Sequence, residues 1–211
     1  EADAADITFT DGAYEISGTD RRIAFAEVLK ASFDPARVPV GHDLGLDSRA
    51  QPMLRDVTFP NGCHTAEVEV DVDTGQVRLM AYTAVDDFGR VINPMLVAGQ
   101  VHGATTQGIG QALLENSLFD EASGQLLSGS FMDYALPRAD DLPAFTLERH
   151  EVPCRSNELG VKGCGESGTT VSPAAIINAV VDALSEYGVH HLDMPATPEK
   201  VWQLIRAGKE A

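Results

Sequence analysis

Residues 65–73 read Thr-Ala-Glu-Val-Glu-Val-Asp-Val-Asp, an alternation of apolar and acidic side chains. A period of two keeps each set on its own face, so this segment is expected to be a strand. Ala66, Val68, Val70 and Val72 would line one face and Glu67, Glu69 and Asp71 the other. Thr74-Gly75 then supplies a turn, and Gln76–Asp86 returns as the partner strand. The pattern predicts an antiparallel hairpin over 65–86, with Val68, Val70 and Val72 buried and the acidic face in water. Such a hairpin needs a layer packed on its apolar side, and the helix signals downstream provide one.

Asn93-Pro94 has the grammar of a helix start, an N-capping amide followed by proline in the first turn. The helix it opens runs toward Glu115 and contains Gly99, Gly103, Gly108 and Gly110. Each interior glycine costs about 0.5–1 kcal/mol against alanine. Their density therefore implies close backbone approach to a neighbour or ligand, or a helix broken by a loop. Ser172-Pro173 predicts a second helix to about Tyr187, apolar nearly all round and so buried. Thr197-Pro198 predicts a third through Ile205. Short strands are expected at 125–127 and 145–152.

Upstream, residues 1–58 read as an extended strap with one helix. Asp11-Gly12 marks a short hairpin within 6–16, and Thr19-Asp20 offers a cap for a helix to about Lys30. Pro35, Pro39, Gly41, Gly45 and Pro52 break anything longer. The organisation expected is α+β, antiparallel hairpins with packed helices, divided into 1–58 and a main domain over 59–211.

The chain has 211 residues and a net charge of −17, which argues against a nucleic-acid partner, since phosphates demand a basic face. No apolar run reaches the ~18–20 residues of a membrane span. Cys63, Cys154 and Cys164 cannot build a disulfide framework, a four-cysteine cluster or a cysteine-based zinc site. A reducing, cytoplasmic setting is expected. The sequence begins at Glu1 without methionine, as a piece of a longer protein would.

The densest local feature is Gly163-Cys164-Gly165-Glu166-Ser167-Gly168. It contains the Gly-x-Gly-x-x-Gly of dinucleotide sites, but the preceding segment 155–162 is polar rather than a buried strand, which speaks against that fold. Glu166, in a glycine-rich loop beside a buried helix, fits a general base; equally, it fits an acid interacting with a helix start. Gln100, flanked by Gly99 and Gly103, offers a donor and an acceptor to a ligand, or is a solvent-facing glutamine. His102 has no second histidine at ligand spacing, and His190-His191 point different ways, so no protein-bound metal is expected. Ser128 and Ser167 lack the Gly-x-Ser-x-Gly elbow of a serine hydrolase.

A set of segments in one order resembles the C-terminal part of the molybdopterin-binding large subunit of the xanthine dehydrogenase/aldehyde oxidase family. The likeness is strongest to the branch with aerobic carbon monoxide dehydrogenase. They are Phe-Pro-Asn-Gly-Cys-His (59–64), Val-Asp-Asp-Phe-Gly-Arg-Val-Ile-Asn-Pro (85–94), Gly-Gln-Val-His-Gly (99–103) and Gln-Gly-Ile-Gly-Gln-Ala (107–112). Phe-Met-Asp-Tyr-Ala-Leu-Pro-Arg (131–138), Leu-Gly-Val-Lys-Gly-Cys-Gly-Glu (159–166) and Met-Pro-Ala-Thr-Pro-Glu (194–199) complete it. Glu158 stands where proline is more usual in the family.

The resemblance implies a molybdenum hydroxylase, with Glu166 as the catalytic base that takes a proton from the metal's hydroxyl. Gln100, Val101, Gly103, Gly163, Cys164 and Gly165 would bind the cofactor, a molybdopterin that in bacteria is often the cytosine dinucleotide form. It implies electron transfer to 2Fe–2S clusters and FAD on other domains or subunits, the rest of the large subunit as a partner, and a dimer of such complexes. Carbon monoxide, purines, N-heterocycles and aldehydes all remain open as substrates. The isolated chain is expected to be inactive and free of molybdenum, because half a cofactor site gives up most of the binding free energy. The other reading is a non-catalytic scaffold that packs against redox partners and has no use for Glu166.

Overall fold

The computed structural model describes residues 2–49, 51 and 56–210, so the chain breaker Pro52 lies outside the described residues. The chain divides into two compact units, Glu1–Met53 and Leu54–Ala211.

The first unit has more regular structure than a strap. Strands β1 (Ile7–Thr10), β2 (Ala13–Ile16) and β3 (Arg22–Ala24) form an antiparallel sheet, followed by helix α1 (Phe25–Ser32). The β1–β2 hairpin turns at Asp11-Gly12, both with positive φ (49° and 73°), the backbone that a tight two-residue hairpin requires. The helix starts later than Thr19-Asp20 suggests. The Thr19 hydroxyl instead donates to the Ile16 carbonyl and accepts from the Arg21 amide, closing a turn that sends Arg22–Ala24 back along β2.

In the second unit, strands β4 (Asn61–Val70), β5 (Val77–Asp87) and β6 (Phe145–Arg149) form a sheet in the order β4-β5-β6. β4 and β5 are the antiparallel hairpin read from the alternation, extended at its open end to Asn61 opposite Asp87. Glu67, Glu69 and Asp71 are exposed while Ala66, Val68 and Val70 are half-buried, as the period-two pattern requires. Val72 departs from the expectation at 39% exposed, because the strand ends at Val70. Beyond it the Asp71 carboxylate accepts the amides of Asp73 and Thr74, and Gly75 at φ +74° completes the reversal. Met80 is the extra residue where the register shifts between Glu67 and Val68.

β6 runs parallel to β5, which the sequence did not announce, and ends at Arg149 rather than 152. Residues 125–127 contribute an isolated bridge, Phe119 to Leu126, and no strand. The return to a parallel neighbour requires a crossover. It begins with helix α2 (Pro94–Leu113), which is unbroken despite its glycines and is capped as expected, the Asn93 side chain accepting from the amides of Met95 and Leu96.

Helix α3 (Ser167–Ala183) starts earlier than the Ser172-Pro173 signal, and Pro173 lies inside it. Helix α4 (Pro198–Glu210) starts where Thr197-Pro198 places it and continues past Ile205. Leu79, Tyr82 and Ala84 of β5 pack with Ile109 and Ala112 of α2, Ile176 and Val180 of α3, and Val201 and Ile205 of α4 in one core. The expected α+β architecture therefore stands, with helices covering the apolar face of the sheet. Among the described residues no helix is long and apolar enough to cross a membrane.

Candidate functional site

The site is built by the crossing of α2 and α3. The buried stripe of α2 contains Val101, Ala104, Thr105, Gly108, Ile109 and Ala112, spaced by three and four residues. Against it lies α3, running in the same direction. The Thr169 hydroxyl donates to the Ala104 carbonyl at 2.9 Å, and a Cβ on Gly168 would stand 2.6 Å from the Thr105 amide nitrogen. Further along, a Cβ on Gly108 would stand 1.9 Å from the Ser172 hydroxyl oxygen and 2.9 Å from Pro173 Cδ. Glycine at both positions lets the backbones meet. That contact secures the extra first turn of α3, in which the Thr170 amide and hydroxyl also bond to the Glu166 carbonyl.

Because the helices are parallel, residues a turn before this contact also meet. Gln100 and the loop 163–166 arrive side by side, and a Cβ on Gly165 would lie 3.9 Å from Gln100 Oε1. Gln100, Gly103, Gly163, Gly165 and Glu166 are all exposed, and no atom lies within 4 Å of where a Cβ would stand on Gly99, Gly103 or Gly163. The four glycines of α2 thus divide into two kinds. Gly108 and Gly110 are in the buried stripe, where a side chain would collide; Gly99 and Gly103 leave clear space beside Gln100.

Glu166 is the N-cap residue of α3, but its side chain makes no capping hydrogen bond. The first amides of a helix lack intrahelical partners and carry partial positive charge, favouring an anionic or oxygen-rich group. Cys164 is half-buried, and its carbonyl accepts the Ser167 hydroxyl at 3.0 Å. Val101 has a different placement from the rest: its side chain is 3% exposed and faces a cavity of about 110 Å³ with Asp86, Phe88 and Leu147. Val101 as a whole is thus buried in α2, beside Gln100 in sequence but not on the open face.

The histidine candidates make contacts away from the Gln100–Gly165 approach. His102 Nδ1 bonds to the Ala98 carbonyl, and its ring stacks on Phe145 at 5.6 Å. His191 pairs with Asp193 in the open. Among the described residues no cluster of histidine, cysteine and carboxylate side chains could hold a metal ion.

Two polar networks around the site were not read from the sequence. In the first, buried His64 bonds through Nδ1 to the Tyr82 hydroxyl at 2.7 Å and through Nε2 to Asp86 Oδ1 at 3.1 Å. With Nε2–H donating to the carboxylate, Nδ1 is the acceptor for the tyrosine proton. Burial pushes the Tyr82 hydroxyl well above its usual pKa; the Thr105 hydroxyl opposes this, the Asp86 charge adds to it, and Ser172 opposes it. The hydroxyl oxygens of Thr105 and Ser172 are buried without a well-formed hydrogen bond. Its sequence signal was a histidine on the apolar face of an alternating strand.

The second network holds the loop. The Asp87 carboxylate accepts the amides of Gly89 (2.8 Å) and Val152 (3.0 Å) and pairs with the Lys162 ammonium. Burial alone would raise its pKa, but Lys162 and the two amides outweigh that and hold it down at about 2.

The residues present fit an extended, oxygen-rich cofactor: an uncapped helix start, an exposed amide side chain, and glycines with clear space above them. Comparison with known proteins points the same way. The model of the molybdopterin cofactor-binding domain family matches residues 1–143, a span that includes Gln100 and stops short of Glu166. The nicotine 6-hydroxylase large subunit of Paenarthrobacter nicotinovorans is 41% identical over 212 residues, 99% of this chain and 25% of the relative. The carbon monoxide dehydrogenase large chain of Hydrogenophaga pseudoflava is 32% identical over 98% of this chain and 25% of its own. In three dimensions the chain is similar to quinoline 2-oxidoreductase from Pseudomonas putida 86, with a TM-score of 0.86 and 38% identity over 97% of this chain and 26% of that one. A Cu,Mo-CO dehydrogenase structure gives a TM-score of 0.85 and 29% identity over the same shares. The chain spans about a quarter of the length of these relatives.

Proposed function

This chain belongs to the molybdopterin cofactor-binding domain family, and from that premise we propose that it supplies one wall of a molybdenum hydroxylase active site, with Glu166 as general base. The observation that carries the reading is the approach of Gln100 to Gly165 of the 163–166 loop on one open face, although the two positions are 65 apart in the sequence. Gln100 orients the cofactor through its amide, which can both donate and accept. Gly99, Gly103, Gly163 and Gly165 keep side chains out of its path, the Cys164 segment completes the wall, and Val101, buried in α2, supports Gln100 from within the helix. The molybdenum cofactor, in its cytosine dinucleotide form, supplies two-electron redox chemistry when bound. Glu166 accepts a proton on its carboxylate, which makes no capping hydrogen bond at the start of α3.

The complete protein carries the remaining cofactor contacts elsewhere in its large subunit and passes electrons to iron–sulfur and FAD modules, in a cytoplasmic complex. Higher identity to the nicotine and quinoline enzymes (41% and 38%) than to the carbon monoxide dehydrogenases (32% and 29%) favours an N-heteroaromatic substrate.

Glu166→Gln in the assembled enzyme is the direct test. It keeps size and hydrogen bonding but removes the base, and general-base catalysis contributes about 10²–10⁴-fold. Stopped-flow reduction by substrate should slow by at least about 10²-fold, with molybdenum content near wild type. Near-normal reduction would leave Glu166 an acid at a helix start and the domain a scaffold.

A further inference from the structure

The loop that carries Glu166 is held very unevenly along its length. Residues 160–162 are gripped by the end of β5 and the segment after it. The Lys162 amide donates to the Phe88 carbonyl at 2.8 Å, and the Gly160 carbonyl accepts the amides of Arg90 at 2.8 Å and Cys154 at 2.9 Å. Asn157 closes on Val161 from both sides, accepting its amide at 3.1 Å and donating to its carbonyl at 3.0 Å. Residues 163–165 have no such grip on the sheet; the half-buried Cys164 accepts the nearby Ser167 hydroxyl through its carbonyl. Gly163 has nothing within 4 Å of a Cβ position, and the nearest neighbour at Gly165 is Gln100. The chain is secured again only at α3, by Ser167, Thr169 and Thr170.

Glu166 therefore sits at the far end of a glycine span whose near end is Lys162. There a single side-chain pair crosses from the loop to the sheet. Lys162 reaches Asp87, and both side chains are nearly buried, 11% and 12% exposed. Asp87 is itself fixed by the amides of Gly89 and Val152. A carboxylate with two backbone donors and a lysine has little freedom to move, and a lysine so held fixes the start of the span.

We propose that Asp87 and Lys162 form a clamp that positions Glu166 for proton abstraction, through the loop rather than by touching the reacting atoms. The inference rests on the reading of Glu166 as the base and goes beyond it by assigning a role to a pair outside the open face. A glycine span is flexible, so its geometry is set by its two ends. One end is α3, packed through Gly168; the other is the clamp. Displacing a catalytic group by about 1 Å can cost about 10²-fold in rate, so loosening one end should be visible in the chemical step. A purely structural ion pair would lower stability and leave that step alone.

The test uses the assembled enzyme with Lys162→Met, Asp87→Asn, Glu166→Gln, and each clamp variant combined with Glu166→Gln. Asp87→Asn keeps an acceptor for the Gly89 and Val152 amides and serves if Lys162→Met folds poorly. Single-turnover reduction by substrate is read together with molybdenum content and with amide hydrogen exchange of residues 160–166. The clamp variants should slow reduction by about 10²-fold and raise exchange in the loop, with molybdenum content retained. In the Glu166→Gln background they should slow it by less than about twofold, because residues acting through one group are not additive. Full additivity there, or a clamp variant with near-normal reduction and unchanged exchange, overturns the clamp while leaving Glu166 as base. A normal rate for Glu166→Gln alone overturns both.

Discussion

Substituting the α2 glycines one at a time separates the two reasons a helix can have for carrying them. Replacing glycine by alanine in a helix interior gains about 0.5–1 kcal/mol. At Gly103 nothing offsets that gain, because a Cβ there meets no atom within 4 Å. At Gly108 the same Cβ would lie 1.9 Å from the Ser172 hydroxyl oxygen, which is buried, and 2.9 Å from Pro173 Cδ. Forcing an extra methyl into a packed site costs about 1–3 kcal/mol. The net at Gly108 is a loss of up to about 2 kcal/mol, and Gly103→Ala should instead be stabilising by the helix term alone. Urea unfolding of the chain followed by circular dichroism measures both shifts. In the assembled enzyme the order inverts. Gly103→Ala places a methyl on the face proposed for the cofactor, so molybdenum content should drop although the helix is more stable. A Gly103→Ala enzyme with full molybdenum and wild-type turnover would refute the cofactor face. A stabilised Gly108→Ala chain would refute the close helix crossing.

Tyr82→Phe removes the hydroxyl that donates to His64 Nδ1 and leaves that buried nitrogen unsatisfied. It should cost about 1–3 kcal/mol in the same unfolding assay, and a neutral result would mean that the network contributes nothing to stability. Asp87 has a folded pKa of about 2 against an ordinary 3.8, so its contribution to stability is complete above the ordinary value and lost as pH falls from there toward 2. Wild type should lose stability relative to Asp87→Asn as pH falls through that window, and identical acid profiles would show the Asp87 network to be energetically idle.

How much of this was legible in the sequence depended on whether the controlling interaction was local. The β4–β5 hairpin was, because Glu67 and Glu69 alternate with Val68 and Val70 along the strand itself. The start of α2 was too, since Asn93 caps amides two and three residues away. The start of α1 was not: Thr19 has the chemistry of a cap, and only the pairing of Arg22–Ala24 with β2 shows that it closes a turn instead. Val72 was misplaced because alternation continues into a turn whose geometry is decided by Asp71 and Gly75. The parallel pairing of β6 with β5 joins distant segments and has no local pattern, whereas the buried His64–Tyr82–Asp86 set lies across the β4–β5 hairpin and left one local sign, a histidine on the apolar face of β4.

The loop itself shows why its sequence so resembles a dinucleotide fingerprint without being one. In the dinucleotide fold the pattern lies between a buried strand and a helix, and its last glycine brings that helix onto its own sheet. Here Gly165 lies open beside Gln100, while Gly168 lies in the first turn of α3 and admits the backbone of α2 at Thr105. The spacing of three residues between them is the distance from an exposed loop to the first contact between two parallel helices. Glu166 falls inside that interval, past the clear space at Gly165 and before the packed turn at Gly168. Its backbone is thus anchored at the start of α3, where its carbonyl accepts the Thr170 amide and hydroxyl, while the residue stays exposed on the open face, the placement that the proposed base would use. The Ser172-Pro173 signal sits six residues, nearly two turns, too late because the contact that starts the helix is made by a residue without a side chain, Gly168.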